Sequence, residues 1–132
     1  MQNDVIVTPM AASGVSAGFP SPAEDYLDGG IDLNKYLIRN PSSTFFVRVD
    51  GESMKDEGIN NNDLLVVDKS VEPYNGCIAV CYIGGEFTLK RVLIENGKVI
   101  LMPANNKYKP IVVKEDDEFV VWGVVRYSIK KH

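Results

Sequence analysis

Histidine is almost missing from this chain: of its 132 residues only the last, His132, is one. A Ser-His-Asp relay needs a well-held imidazole to accept a proton near neutral pH, and a terminal residue is a poor candidate, so that chemistry is set aside. Cysteine is scarce as well. Cys77 and Cys81 fall in one apolar stretch, Gly76-Cys-Ile-Ala-Val-Cys-Tyr-Ile83. On a strand they would share a face roughly 13 Å apart, too far for a disulfide. With no second pair and no nearby histidine they do not suggest zinc, and they read as buried structural thiols with no metal or other cofactor called for. The first 34 residues hold no Lys or Arg, which removes the basic start of a secretory signal and the arginines of a transit peptide. No apolar run approaches the roughly 20 residues of a membrane-spanning helix. A cytoplasmic location without membrane contact is the default expectation. Basic residues are outnumbered overall, 14 against 18, and the net charge of −4 argues against strong direct DNA binding, which relies on Lys and Arg at phosphates. Arg126, Lys130 and Lys131 read as a solvated end.

What is present divides into two materials. Residues 1–43 carry Ser, Gly, Pro and Ala punctuation, including Ala11-Ala-Ser-Gly-Val-Ser-Ala-Gly18 and Phe19-Pro-Ser-Pro22. Two prolines around a serine forbid a helix and disfavour a central strand, so an extended or turning arm is expected there. One short helix is expected over Ile31–Arg39, with Asp32 as its cap and Leu33, Tyr36 and Leu37 at i, i+3, i+4. From Thr44 onward, residues 44–132 read as strands: Phe45–Val49, Leu64–Val67, Cys77–Ile83, Phe87–Leu93, Val99–Met102, Ile111–Val113 and Phe119–Ile129. The turn Asn60-Asn-Asn-Asp63 and the dipeptide Gly84-Gly85 separate them, the latter suited to positive φ in a hairpin. Many short strands with such turns predict a single mainly β domain, a barrel or a folded-over sheet.

Two residues carry possible covalent chemistry. Ser53 follows Asp50-Gly51-Glu52, and the glycine permits a sharp turn whose N–H groups can face a developing oxyanion. Lys90 lies in Glu86-Phe-Thr-Leu-Lys-Arg-Val-Leu93, where alternation puts it on a face with Glu86, Thr88 and Val92. A lysine serves as a base only after losing its proton, which requires desolvation. The bland readings are a polar strand end for Ser53 and a solvated side chain for Lys90. From the residues alone both readings stand.

A longer pattern goes further. Gly51-Glu-Ser-Met54, Asp56-x-Gly58-Ile-x-x-x-Asp63-Leu-Leu-x-Val-Asp68, Gly85-Glu-Phe-Thr-Leu-Lys90, Pro103-x-Asn105 and Val121-x-Gly123-Val124 together resemble the LexA/UmuD family of self-cleaving Ser-Lys peptidases. The resemblance runs from about Gly18 to about Val125, most of the chain. It implies a twisted-strand peptidase domain with one short helix and an extended N-terminal arm. Ser53 would be the nucleophile, Lys90 the general base, and the backbone N–H groups of Glu52 and Ser53 the oxyanion donors. The arm would be the substrate, cut between Ala17 and Gly18, small residues that leave the scissile carbonyl open to attack. Only 17 residues precede that bond, none of them basic, which fits the UmuD-type branch and leaves no room for a repressor's helix-turn-helix domain. The resemblance further implies a homodimer of the SOS mutagenesis response. A RecA–single-stranded-DNA filament would stimulate its cleavage, and the shortened form would join a UmuC-like Y-family DNA polymerase in translesion synthesis. Two other readings are a non-catalytic β-rich adaptor and a signal-peptidase-like processing protease.

Overall fold

A computed structural model describes residues 5–11 and 30–132 of the chain. β-branched and aromatic residues, interrupted by Gly, Asn and Asp, build strands β1 (Val5–Ala11), β2 (Thr44–Val49), β3 (Leu64–Asp68), β4 (Ile78–Ile83), β5 (Glu86–Glu95), β6 (Lys98–Met102), β7 (Ile111–Val112) and β8 (Phe119–Ile129). They form one antiparallel sheet in the order β1-β2-β3-β8-β4-β5-β6-β7. β1 and β5 stand far apart in that order, yet their Cα atoms come within 8 Å. The sheet is therefore folded over on itself, and the mainly β expectation holds.

Seven strands fall on the expected stretches to within a few residues. β1 is outside the expected set: the start of the N-terminal arm pairs with β2, with Val5 opposite Val49 and Ala11 opposite Phe45. Its Val5-Ile-Val7 sequence suits a strand once a partner edge exists, which local sequence does not reveal.

Folding over gives two apolar clusters. Val47, Val49, Met54, Ile59, Leu65, Val67, Val80 and Leu89 form one, and Cys77, Ala79, Cys81, Ile83, Val92, Leu101 and Val124 the other. Both cysteines are buried and no disulfide joins them, as their apolar surroundings predict. Gly84 and Gly85 close the β4–β5 hairpin with φ of 58° and 85°, the double positive pair that a tight hairpin demands. Gly123 is a packing glycine instead. A Cβ built there would lie 2.5 Å from Cγ1 of Val67, a buried, stiff, β-branched neighbour with no room to withdraw.

The helix is shorter than expected. α1 covers Leu33–Leu37, and Asp32 caps it, accepting bonds from the backbone N–H groups of Asn34 (3.1 Å) and Lys35 (3.4 Å). Its apolar side does not enter the core: Leu33 and Tyr36 are 61% and 66% exposed. Five residues provide too little surface for a stripe to lie flat on a twisted sheet, and Tyr36 meets the ring of Tyr127 at a tilt of 40°, ring centroids 6.3 Å apart. The basic end also differs from expectation. Lys130 is tied to the buried Asp63 carboxylate at 2.8 Å, so it is not simply solvated.

The link from α1 to β2 is pinned by Asp68 at the end of β3. Its carboxylate accepts from Asn40 Nδ2 (2.9 Å), Ser43 Oγ (2.8 Å), Ser70 Oγ (2.7 Å) and Ser70 N–H (2.8 Å). Burial pushes its pKa upward, but the bonds from Asn40, Ser70 and Ser43 outweigh it and hold it at about 2, against an ordinary 3.8. A carboxylate depressed on folding stabilises the fold fully above its unfolded pKa and loses that contribution as pH falls through the folded one. Asp68 should therefore contribute about 2 kcal/mol above pH 5 or so, lost progressively toward pH 2. Chemical denaturation across that range should show a smaller acid-dependent loss in Asp68→Asn than in the unaltered chain.

Candidate functional site

Ser53 is set by the turn that leaves β2. Gly51, with φ of 137°, turns the chain in a conformation that side chains other than hydrogen rarely adopt. Its N–H is held by Asn61 Oδ1 at 3.0 Å. Beyond Ser53, the fully buried Met54 anchors the loop in the first cluster, and a 3-10 turn over Lys55–Glu57 ends at Gly58 in the left-handed region. Glu57 pairs with Arg91 of β5, fastening the serine loop beside the lysine strand. Ser53 itself is only 2% exposed.

Lys90 is as deeply placed, also 2% exposed. Its face, which on the bland reading would be solvated, is covered: Thr88 and Val92 are buried with it. Only the folded-over sheet could do this, because alternation along β5 says which residues share a face and not what covers it. Lys90 Nζ donates to Thr88 Oγ1 and, at 3.2 Å, to the carbonyl oxygen of Leu89. The ring of Tyr108 lies 5.9 Å from the amine.

The two expected functional atoms meet at one acceptor. Ser53 Oγ donates to the same Leu89 carbonyl, at 3.0 Å. Register explains why that oxygen is available. Val92 uses its N–H and its carbonyl toward the β4 side, bonding Cys77 O and Gly76 N–H, so alternation turns the Leu89 carbonyl to the other edge. β6 pairs with that edge only as far as Arg91, opposite Met102. Past that point the chain leaves β6 as the loop 103–108, and the gap between β5 and the loop receives Ser53.

The loop after β6 grips the serine turn. Ala104 N–H donates to Ser53 O at 2.7 Å, Asp56 N–H donates to Ala104 O at 2.7 Å, and Asn105 Nδ2 donates to Glu52 O at 2.7 Å. Sequence reading noted Pro103-x-Asn105 as a pattern and gave it no role. Thr88 was legible in principle, being two residues from Lys90 on one strand face. Tyr108 carried no signal. Ala17 and Gly18 lie outside the described residues, but β1, which precedes them, runs beside β5. Among the described residues no cluster of His, Cys, Asp and Glu is placed to hold a metal, and no helix is long and apolar enough to cross a membrane.

Comparison with known proteins adds a lineage to this geometry. Residues 9–126 match the family described as Peptidase S24-like. The chain is 42% identical to Protein MucA of Salmonella typhimurium over 125 residues, covering 94% of this chain and 85% of that protein. It is 42% identical to Protein SamA of Salmonella typhimurium strain LT2 over 123 residues, 93% and 85% of the two chains. Protein ImpA of Shigella flexneri is 50% identical over 92 residues, 70% of this chain and 63% of its own.

A buried lysine is a poor choice for stability, since a desolvated amine gives up hydration that its neighbours only partly replace. Lys90→Met, an apolar side chain of similar length, should melt no lower than the unaltered chain, and up to a few degrees higher, by calorimetry. A fall of more than about 1 kcal/mol would mean that the lysine is there for the fold.

Proposed function

The chain belongs to the LexA/UmuD family of S24-like peptidases, in its UmuD-like branch, and from that premise we propose that it cuts its own arm between Ala17 and Gly18 with Ser53 as nucleophile and Lys90 as general base. The observation that carries this is the convergence of Ser53 Oγ and Lys90 Nζ on the Leu89 carbonyl, both side chains buried. A neutral Lys90 takes the Ser53 proton as Oγ attacks the Ala17 carbonyl carbon. The oxyanion that forms is received by backbone N–H groups of Glu52 and Ser53. Lys90 then returns its proton to the Gly18 nitrogen as the peptide bond breaks, leaving an ester between Ser53 and Ala17. Water, deprotonated by the same amine, hydrolyses that ester.

Membership of the family supports a biological setting. We read the protein as a cytoplasmic mutagenesis factor of the SOS response, stimulated by a RecA–single-stranded-DNA filament. Its shortened form serves a UmuC-like Y-family polymerase in translesion synthesis. Only a neutral amine accepts the serine proton, so spontaneous cleavage should quicken with rising pH and then level off, following the neutral fraction of Lys90. The purified chain, incubated over a pH series and weighed by mass spectrometry, should yield fragments 1–17 and 18–132. Ser53→Ala and Lys90→Ala, each with a native circular dichroism spectrum, should yield neither fragment. An uncut chain at every pH would favour the adaptor reading. Cleavage of added peptides with the arm intact would favour the processing protease.

The homodimer has support of its own. β8 pairs with β4 through Val124 and with β3 from Val124 onward, so among the described residues nothing pairs with the far edge of Arg126–Ile129. An open edge offers unpaired N–H and C=O groups. Exposed Tyr127, Ile129, Tyr36, Leu33 and Ile31 carry apolar surface in the C-terminal part of β8 and in the α1 region. Antiparallel pairing of this edge with its own copy across a twofold axis satisfies both. Sedimentation at micromolar concentration should show a dimer, and Ser128→Pro, which removes an N–H on the open edge and not one facing β3, should shift it toward monomer. A monomer in the unaltered chain would rule the pairing out.

A further inference from the structure

The serine loop is held by a side chain that plays no part in the chemistry proposed above. Asn105 is 5% exposed and both ends of its amide are used. Oδ1 accepts the Lys107 N–H at 3.0 Å, and Nδ2 donates to the Glu52 carbonyl at 2.7 Å. The two bonds fix which end is which, because exchanging them would set N–H against N–H and oxygen against oxygen.

The consequence lies in the peptide unit that receives the bond. The Glu52 carbonyl and the Ser53 N–H belong to one planar trans amide and point in opposite directions. Holding the carbonyl toward Asn105 therefore aims the Ser53 N–H the other way. The next unit is held as well, since Ser53 O accepts the Ala104 N–H at 2.7 Å. Both carbonyls that flank the Ser53 Cα are clamped by neighbouring residues of one loop, and backbone rotation about the nucleophile is blocked at both of its peptide planes.

We infer that Asn105 is a positioning residue for cleavage: its amide orients the Glu52–Ser53 peptide unit so that the Ser53 N–H faces the oxyanion formed from the scissile carbonyl. The inference rests on Ser53 being the nucleophile. A preorganised donor acts without reorganisation as charge develops, and a donor free to swing loses most of that benefit. The pattern Pro103-x-Asn105 thereby acquires a physical role. Proline stiffens the exit from β6, and the asparagine two residues later reaches the peptide plane before the serine.

The experiment uses the full chain with Asn105→Ala and Asn105→Asp. The aspartate keeps the size and the acceptor for Lys107 N–H, and lacks the donor to Glu52. Self-cleavage is followed across pH, corrected to the folded fraction from thermal melting, beside the rate at which a fluorophosphonate esterifies Ser53 with loss of fluoride. Both variants should lower the cleavage plateau by at least about tenfold, and up to about a hundredfold. Phosphonylation should fall by a similar factor, since its P=O group occupies the place of the oxyanion. In Asn105→Ala the pH midpoint should stay where it is, because the amide acts on the donor and not on Lys90. A plateau within twofold of the unaltered chain in the aspartate variant would overturn the inference, as would a moved midpoint in the alanine variant. Phosphonylation at full rate with slowed cleavage would also overturn it, assigning Asn105 to arm docking. If the alanine variant does not fold, the aspartate variant decides by plateau and phosphonylation. Ser53→Ala, run in parallel, separates the two ideas: self-cutting by that variant sinks the nucleophile assignment, whereas an inert Ser53→Ala with fast Asn105 variants sinks only the positioning role.

Discussion

The Leu89 carbonyl is the point on which the site turns. A main-chain oxygen in the middle of β5 ordinarily belongs to a ladder, and here the ladder stops at Arg91. Ser53 Oγ and Lys90 Nζ fill the place that a β6 N–H would have taken. A backbone acceptor inside a strand is a rigid reference, because moving it would disturb the six paired positions between β4 and β5. Two flexible donors, one on a loop and one on a long side chain, are brought into register by an atom that cannot wander. For chemistry that depends on two groups meeting within a hydrogen bond, such a reference matters more than the stiffness of either side chain.

The other constraint is the burial of the amine. Lys90 and Thr88 lie where the folded-over sheet leaves little water, and Thr88 Oγ1, the Leu89 carbonyl and the Tyr108 ring lie about the amine. Thr88 Oγ1 and the Leu89 carbonyl fix the direction of the Nζ group. Arg91, the next residue, is drawn off to Glu57 and the Gly76 carbonyl, so its own charge is spent outside the site. If Lys90 is the base proposed above, the arrangement trades stability for a group that can accept a proton, the usual direction of compromise at a catalytic centre.

How much of this was legible in the sequence varied with the range of the interaction. Asp32 as a cap, Gly84-Gly85 as a hairpin and the seven strand stretches depend on neighbours a few residues away, and they stand as read. Helix α1 failed as an amphipathic element because its stripe needed a surface to bury against, and Leu33 and Tyr36 stay exposed. β1 escaped notice because its pairing partner lies some forty residues further on. For the site, the identity of Ser53 and Lys90 came from pattern, while the burial that gives the lysine its interest came only with the fold. Lys130 was misjudged for the same reason: its partner Asp63 is 67 positions away in sequence.

Tethering joins these strands of argument. If the arm is the substrate, the reaction is unimolecular, and neither tight binding nor fast turnover is selected in the way it is for an enzyme acting on free peptides. The chain needs a dyad that is assembled in advance and an arm that reaches it only when favoured. The first need is met by elements locked to one another: Met54 in the core, residues 104 and 105 on both carbonyls beside Ser53, and Glu57 on Arg91. The second falls to the segment between β1 and α1, whose two ends are held by quite different means. β1 is attached by main-chain pairing to β2, while the α1 end is fixed through Asn40 and Ser43 to the Asp68 carboxylate. On the reading proposed above, a stimulus that favours the docked arm would raise the cleavage rate without touching the chemistry.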